Sequence, residues 1–193
     1  MKNMKPISET DLIINPDGSI YHLNILPEDL ASTVITVGDP DRVSEVSKRF
    51  DKIEVKKGKR EFITHTGWVG RQRITVISTG IGTDNIDIVL NELDALVNVD
   101  FSTRLEKRAF RKLDIIRIGT SGTLQPDIPV DSIVVSEFAV GLDALMFYYQ
   151  REPDALEAQL QESLSQHLDI PGVTAYVTRA SSTLMEKFGK ECH

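Results

Sequence analysis

One cysteine in 193 residues, Cys192, leaves no intramolecular disulfide framework, and thiol usage this sparse fits a reducing compartment. It stands beside His193, but a pair at a chain terminus is poorly held, and no catalytic thiol is assigned there. No stretch approaches the ~20 consecutive apolar residues that a membrane-spanning helix needs. The N-terminal lysines are followed by Asp11, Asn15 and Asp17 rather than by the apolar core of a secretion signal. A cytoplasmic protein with no membrane partner is therefore expected. Basic charge is also short. Lys and Arg number 22 against 29 Asp and Glu, a net charge of -7, which argues against recognition of nucleic acid through a basic surface. There is no internal repeat, no low-complexity linker and no Gly-Lys-Ser/Thr phosphate loop. What is left, 40% hydrophobic and 26% charged, is an ordinary globular composition, in a length that suits one domain.

Strand and helix patterns alternate along the chain. Residues 33–37 are β-branched and end at Gly38-Asp39-Pro40, where Asp39 suits a helix N-cap and Pro40 the first helical position. A hairpin is expected over residues 53–65, turning through Lys57-Gly58-Lys59, with a further strand at 74–77. Ile86, Val89, Leu90, Leu93, Leu96 and Val97 recur at helical spacing. Residues 98–112 read as a solvated helix face on which Glu106 faces Arg104, Lys107, Arg108, Arg111 and Lys112. Beyond the short apolar run at 113–116 come an expected strand at 132–135 and an amphipathic helix at 154–168. A turn at Pro171-Gly172 leads into a strand at 173–177, and a capping box from Thr183 to Glu186 opens a last helix. Residues 1–24 read as a polar arm. The alternation predicts an α/β fold with a mixed sheet, its ligands at the C-terminal strand edges.

Three loops at such edges carry the chemistry. Arg117-Ile118-Gly119-Thr120-Ser121-Gly122 follows the strand at 113–116. An arginine at the end of a buried strand is costly unless an anion or a carboxylate meets it. Asp114 and Asp127 are the carboxylates at hand; a phosphate held by the guanidinium and the glycine-rich backbone is the alternative. In Gly38-Asp39-Pro40-Asp41-Arg42, free helix N-terminal N–H groups and Arg42 can meet an anion. In Ser78-Thr79-Gly80-Ile81-Gly82 a third glycine is missing, so it is no dinucleotide fingerprint. Either of these two, standing alone, reads equally well as a structural strand-to-helix turn.

Order and composition together say more. Tyr21-His22-Leu23, Val37-Gly38-Asp39-Pro40-Asp41-Arg42, Lys59-Arg60-Glu61-Phe62, Ser78-Thr79-Gly80-Ile81-Gly82 and Ile116-Arg117-Ile118-Gly119-Thr120-Ser121-Gly122 resemble the nucleoside phosphorylase family, most closely its uridine phosphorylase branch. The resemblance implies a three-layer α/β fold with a mixed, twisted sheet flanked by helices. It implies reversible phosphorolysis of a nucleoside, uridine in the first place, to free base and ribose 1-phosphate. Such an enzyme is a pentosyltransferase that uses inorganic phosphate as co-substrate and no organic cofactor or metal. Carried over residue by residue, phosphate falls to Gly38, Arg42, Arg117 and Thr120, with Arg60 supplied by a neighbouring subunit. Arg42 and Arg117 are the catalytic pair, His22 reaches a ribose hydroxyl across the same interface, and Ser121 and Gly122 lie near the base. A homodimer, or a hexamer of dimers, follows.

The resemblance also has a boundary. Glu61 matches a position that binds a monovalent cation in some relatives, but Thr83, Asp84 and Asn85 depart from the usual continuation, and that ion is not carried over. The base-contacting segment and the Glu-Met-Glu-type strand that holds the ribose are not found; Leu184-Met185-Glu186 belongs to the capping box. Residues 1–193 are therefore expected to form a single phosphorylase-like domain, incomplete at its C-terminus and weak or inactive in turnover. Two other readings stand beside phosphorolysis. One is a nucleosidase that uses water; the other is a non-catalytic phosphate- or nucleotide-binding module or inactive fragment.

Overall fold

The structure, a computed structural model, describes residues 5–168, 172 and 174–191. The expected turn residue Pro171, the start of the strand at Val173, and Cys192 and His193 lie outside them. The chain divides after Ser121 into two compact units, Met1–Ser121 and Gly122–His193.

The first unit is built on a five-stranded sheet. Its strands are β1 (Thr33–Val37), β2 (Lys52–Lys59), β3 (Phe62–Val69), β4 (Gln72–Ser78) and β7 (Asp114–Arg117), in the order β2-β3-β4-β1-β7. β1 runs parallel to both β4 and β7, whereas β2, β3 and β4 form an antiparallel meander. The sheet is mixed, as expected. Alternation along each strand sends side chains to opposite faces. Val37, Val76, Ile35 and Ile63 pack under α1 (Pro40–Ser47) with Val43, Val46 and Phe50. Val34, Phe62 and Ile77 face the other way, against Val89, Leu93 and Leu96 of α2 (Thr83–Asn98). Helix, sheet and helix make the three layers.

Several elements differ from their sequence reading. Residues 5–24 are no free arm: Ile20 and Leu23 are fully buried against α2, and Ile14 bridges Ile20. Their apolar positions are scattered, so no period announced the packing. The hairpin turns just beyond the expected Lys57-Gly58-Lys59, at Arg60-Glu61 between the paired Lys59 and Phe62, with Arg60 at φ 56°. Gly58 stays in β2, and a Cβ built there would lie 2.6 Å from Ile63 Cδ1. Nor do residues 98–112 form a helix face. β5 (Val99–Asp100) pairs with β6 (Leu105–Glu106), and Arg104 binds the carbonyls of Ile7 (2.8 Å), Ser8 (2.8 Å) and Leu12.

In the second unit β8 (Phe138–Gly141) pairs antiparallel with β9 (Tyr176–Arg179), and α3 (Ala155–Leu168) packs on β9. Glu157 ties the two together: its carboxylate accepts from the backbone of Asp154 (2.9 Å) and Arg179 (2.8 Å) and pairs with Arg151 (2.5 Å). The Asp154 and Arg179 backbone bonds hold this carboxyl below the usual range. The strand expected at 132–135 does not form, and Ile133 is 89% exposed. β-propensity needs a partner ladder, and among the described residues only the later Phe138–Gly141 segment finds one. The last helix, α4 (Ser182–Glu191), starts earlier than the expected capping box. Its first turn is received by Ser181, whose carbonyl accepts from Met185 and whose hydroxyl accepts from Leu184.

Candidate functional site

The strand order brings the three loops together. β1 lies between β4 and β7 and is parallel to both, so the C-terminal ends of three neighbouring strands open on one edge of the first unit. Val37 pairs with Ser78, Thr36 with Arg117, and the backbone of Thr79 donates to Val37 O at 2.8 Å. Gly38 follows β1, Thr79 and Gly80 follow β4, and Ile118 and Gly119 follow β7. The loops lie side by side because the strands do.

Arg117 reaches back beside Gly38. A Cβ built on Gly38 would sit 3.5 Å from Arg117 Nη2, and one on Gly119 would sit 3.8 Å from the same nitrogen. The guanidinium thus lies over two glycine backbones, where a side chain would narrow the approach. Gly80 closes the other side, its carbonyl 3.8 Å from the same Gly38 position. Arg117 is exposed rather than buried, a departure from the sequence reading. β7 pairs on one side only among the described residues, and its end is open to solvent. No carboxylate pairs with it: Asp114 and Asp127 form no ion pair with Arg117 among the described residues.

Arg42 sits in the first turn of α1 and is half-buried. Asp39 caps that helix as expected, its Oδ1 accepting from Asp41 N at 2.9 Å, while its carbonyl accepts from Arg42 N at 3.1 Å. These donors are therefore taken, and the free helix N-terminus read from the sequence is not available. Like Arg117, neither Arg42 nor Arg60 forms an ion pair among the described residues; Arg73, Arg151 and Arg179 each do.

The other predicted residues fall as follows. Thr120 and Ser121 are exposed in the loop that leaves β7, and Gly122 opens the second unit with nothing within 4 Å of a built Cβ. Arg60 is exposed at the β2–β3 turn. The next residue, Glu61, reaches the β4 loop: its Oε1 accepts from Asn85 Nδ2 at 3.0 Å, and Ser78 Oγ donates to its carbonyl at 2.5 Å. A Cβ on Gly80 (φ 66°) would meet Asn85 at 2.6 Å and Glu61 Cγ at 2.8 Å, so a larger residue would have to displace the Glu61–Asn85 pair and hold a left-handed backbone that favours glycine. His22 is far from the loose arm residue its surroundings in sequence suggested. Its ring Nδ1 lies 2.7 Å from Glu92 Oε1, and its backbone donates to the same carboxylate. Glu92 itself was missed: it sits on the apolar stripe of α2, and nothing local marks it.

The phosphorylase superfamily profile matches residues 32–174. The chain belongs to the phosphorylase superfamily. Among curated members it is 32% identical over 149 residues to the uridine phosphorylase of Thermococcus kodakarensis, covering 77% of this chain and 49% of that protein. It is 33% identical over 132 residues to the uridine phosphorylase of Haemophilus influenzae, covering 67% of this chain and 47% of that protein. Among solved structures, a Trypanosoma brucei nucleoside phosphorylase described as showing uridine phosphorylase activity superposes with a TM-score of 0.85 at 31% identity. That match covers 94% of this chain and 62% of the other. The chain thus spans about half the length of the curated phosphorylases it matches. The three-layer α/β architecture implied by the sequence is the superfamily's. The superfamily match also begins at the lead-in to β1 and takes in all three converging loops.

Proposed function

We propose that the chain binds inorganic phosphate at the joined ends of β4, β1 and β7 and takes part in reversible phosphorolysis of a nucleoside. Uridine is the nucleoside favoured by the relatives. The observation that carries the reading is Arg117: a guanidinium with no carboxylate partner, laid over the bare backbones of Gly38 and Gly119. A planar, permanently charged fork suits two oxygens of one phosphate. Arg42 approaches from the first turn of α1, and the Thr120 hydroxyl stands after the second glycine of this wall. Phosphate so held is both nucleophile and electrostatic partner of the cationic sugar that develops as the glycosidic bond breaks. One phosphate oxygen bonds the anomeric carbon, the base leaves with the bonding pair and takes a proton, and ribose 1-phosphate remains. No organic cofactor enters this scheme.

Arg60, His22, Ser121 and Gly122 complete the reading. Arg60 and His22 act in a neighbouring copy's site, so a two-fold homodimer is the smallest active unit and a hexamer of dimers a larger one. Their common footing supports this: Lys59, next to Arg60, donates to the carbonyl of Tyr21, next to His22, at 2.6 Å. Ser121 and Gly122 lie toward the base. We read the chain as one phosphorylase-like domain, because the superfamily match runs through the division after Ser121, and as cytoplasmic from its sparse cysteine.

The test is base release from uridine and from inosine, with and without phosphate. Weak, phosphate-dependent appearance of uracil and ribose 1-phosphate is expected, in keeping with the turnover read from the sequence. Base release that ignores phosphate would replace the reading by a nucleosidase. Phosphate heat in calorimetry with no nucleoside-dependent heat would replace it by a binding module.

A further inference from the structure

We infer that Glu92 is a positioning residue that holds His22 in a single tautomer, Nδ1 protonated and Nε2 free to accept a hydrogen bond from a ribose hydroxyl. This rests on the proposed function above. Glu92 is 9% exposed, on α2, and every group that meets its carboxylate is a donor. His22 N donates at 3.0 Å to Oε1 and 3.1 Å to Oε2, and Leu23 N donates to Oε2 at 2.9 Å. An ionised carboxylate can only accept. The ring nitrogen 2.7 Å from Oε1 must therefore carry the proton. In the neutral ring the lone pair is then at Nε2, which makes no hydrogen bond among the described residues.

The two backbone donors, His22 N and Leu23 N, would suffice to dock the 22–23 segment; the ring nitrogen is a third donor, and its bond fixes the ring. The aromatic neighbours keep it there. Tyr21 meets it edge-on at 4.8 Å between centroids, and Phe62 stands at 6.3 Å and 74°. Tyr21 is held in turn by Lys59, whose Nζ lies 3.6 Å from the ring centroid. Turning the imidazole would break the Glu92 bond and both edge contacts. The side chain nevertheless keeps 26% of its surface accessible, so a ligand can reach the ring. Which nitrogen is protonated decides what a histidine can recognise, and the partner of the other nitrogen sets it.

The experiment is long-range ¹H–¹⁵N NMR on the uniformly labelled full chain above the histidine titration range, with His22 assigned by its loss in His22→Asn. Nδ1 should appear protonated and Nε2 unprotonated; an Nε2–H ring would overturn the inference, whatever the activity. Glu92→Gln should give a tautomer mixture and weaken uridine binding, read by calorimetry without phosphate so that no turnover contributes heat, by about tenfold, the size of one lost hydrogen bond. Phosphate affinity should change by less than about twofold, since Glu92 touches nothing at the phosphate loops. In a His22→Ala background the same substitution should cost no further uridine affinity. Equal loss of both ligands, or a further loss in that background, would mean general collapse rather than positioning and would overturn the inference. Should Glu92→Gln fail to fold, the wild-type spectrum still decides the tautomer. An Nδ1–H ring together with unchanged uridine binding in His22→Ala would instead remove the ribose role from His22, a failure of the functional reading and not of the tautomer.

Discussion

Replacing Arg117 by alanine should weaken phosphate binding and leave the fold in place. The two halves of that expectation come from different contacts. β7 is held by its backbone ladder to β1, from Thr33–Asp114 to Thr36–Arg117, and by the Ile118 N–H bond to Thr36 O at 2.9 Å. None of these uses the side chain. The guanidinium is exposed and without an ion pair among the described residues, so stability should stay within about 0.5 kcal/mol of wild type. Phosphate loses a charge-assisted contact, about 1.5–3 kcal/mol. An open site is screened by water and salt, which places the loss at the lower end, about tenfold in Kd. Titration calorimetry reads this directly, and thermal stabilisation checks it. At a phosphate concentration of about 100 wild-type Kd, binding should stabilise wild type by about 2.7 kcal/mol and the variant by about 1.4 kcal/mol. Arg117→Lys should fall between them, because an ammonium keeps the charge and loses the fork. Unchanged phosphate binding in a folded Arg117→Ala protein would refute the placement of the site.

Other substitutions probe the scaffold. Gly67→Ala in β3 should destabilise the first unit by roughly 1–3 kcal/mol or more in urea unfolding, because its Cβ would fall 2.2 Å from Lys52 O and 2.7 Å from Phe50 Cδ2, and the backbone oxygen cannot swing aside. Arg104→Ala should cost about 2 kcal/mol and speed proteolysis near residues 5–14, since the carbonyls of Ile7, Ser8 and Leu12 lose a shared charged donor. His65 predicts an acid-sensitive window. It is buried on β3 with Nδ1 2.7 Å from Ser47 Oγ of α1, and burial, then the charge of Lys56, lowers its pKa. The unfolded chain therefore takes up this proton first, at about pH 6.5. The His65 contribution is complete above that pH and is lost as pH falls through the lower folded value. Urea midpoints should begin to drop as pH falls below about 6.5, and the drop should shrink in His65→Gln; equal slopes in both proteins would refute the assignment.

What could be read from the sequence was local or followed from β/α alternation. Asp39-Pro40 announced a helix start, and the cap is there. The spacing from Ile86 to Val97 announced α2, which runs Thr83–Asn98. Alternation put the loops at strand ends, and the β4-β1-β7 order then made neighbours of segments far apart in the chain. What was not legible depended on partners at long range. Residues 5–24 looked polar because the helix that covers Ile20 and Leu23 comes some seventy residues later, as the Glu92 bonds to His22 and Leu23 show. Residues 132–135 have strand composition and no ladder, while Phe138–Gly141, no richer in β-formers, has one.

The arginines make the same point where it bears on function. Arg104 stands in a run of basic residues that reads as solvated surface, whereas Arg117 ends an apolar strand before a Gly-Thr-Ser-Gly loop; the flanks alone do not say which guanidinium the fold will occupy. In the fold, Arg104 spends its donors on the carbonyls of Ile7, Ser8 and Leu12, and so cannot recognise a ligand without undoing the packing of that segment. Arg117 has an equivalent fork and no such obligation, set against glycines that leave the approach open. A buried arginine starved of a partner was the expectation; an exposed one left unpaired is what the fold presents. The second is the better anion receptor, because it needs no compensating charge to be stable before phosphate arrives. It also binds less tightly than a desolvated one would, which is why the proposed function draws on Arg42, and on a neighbour's Arg60, to fix the same anion.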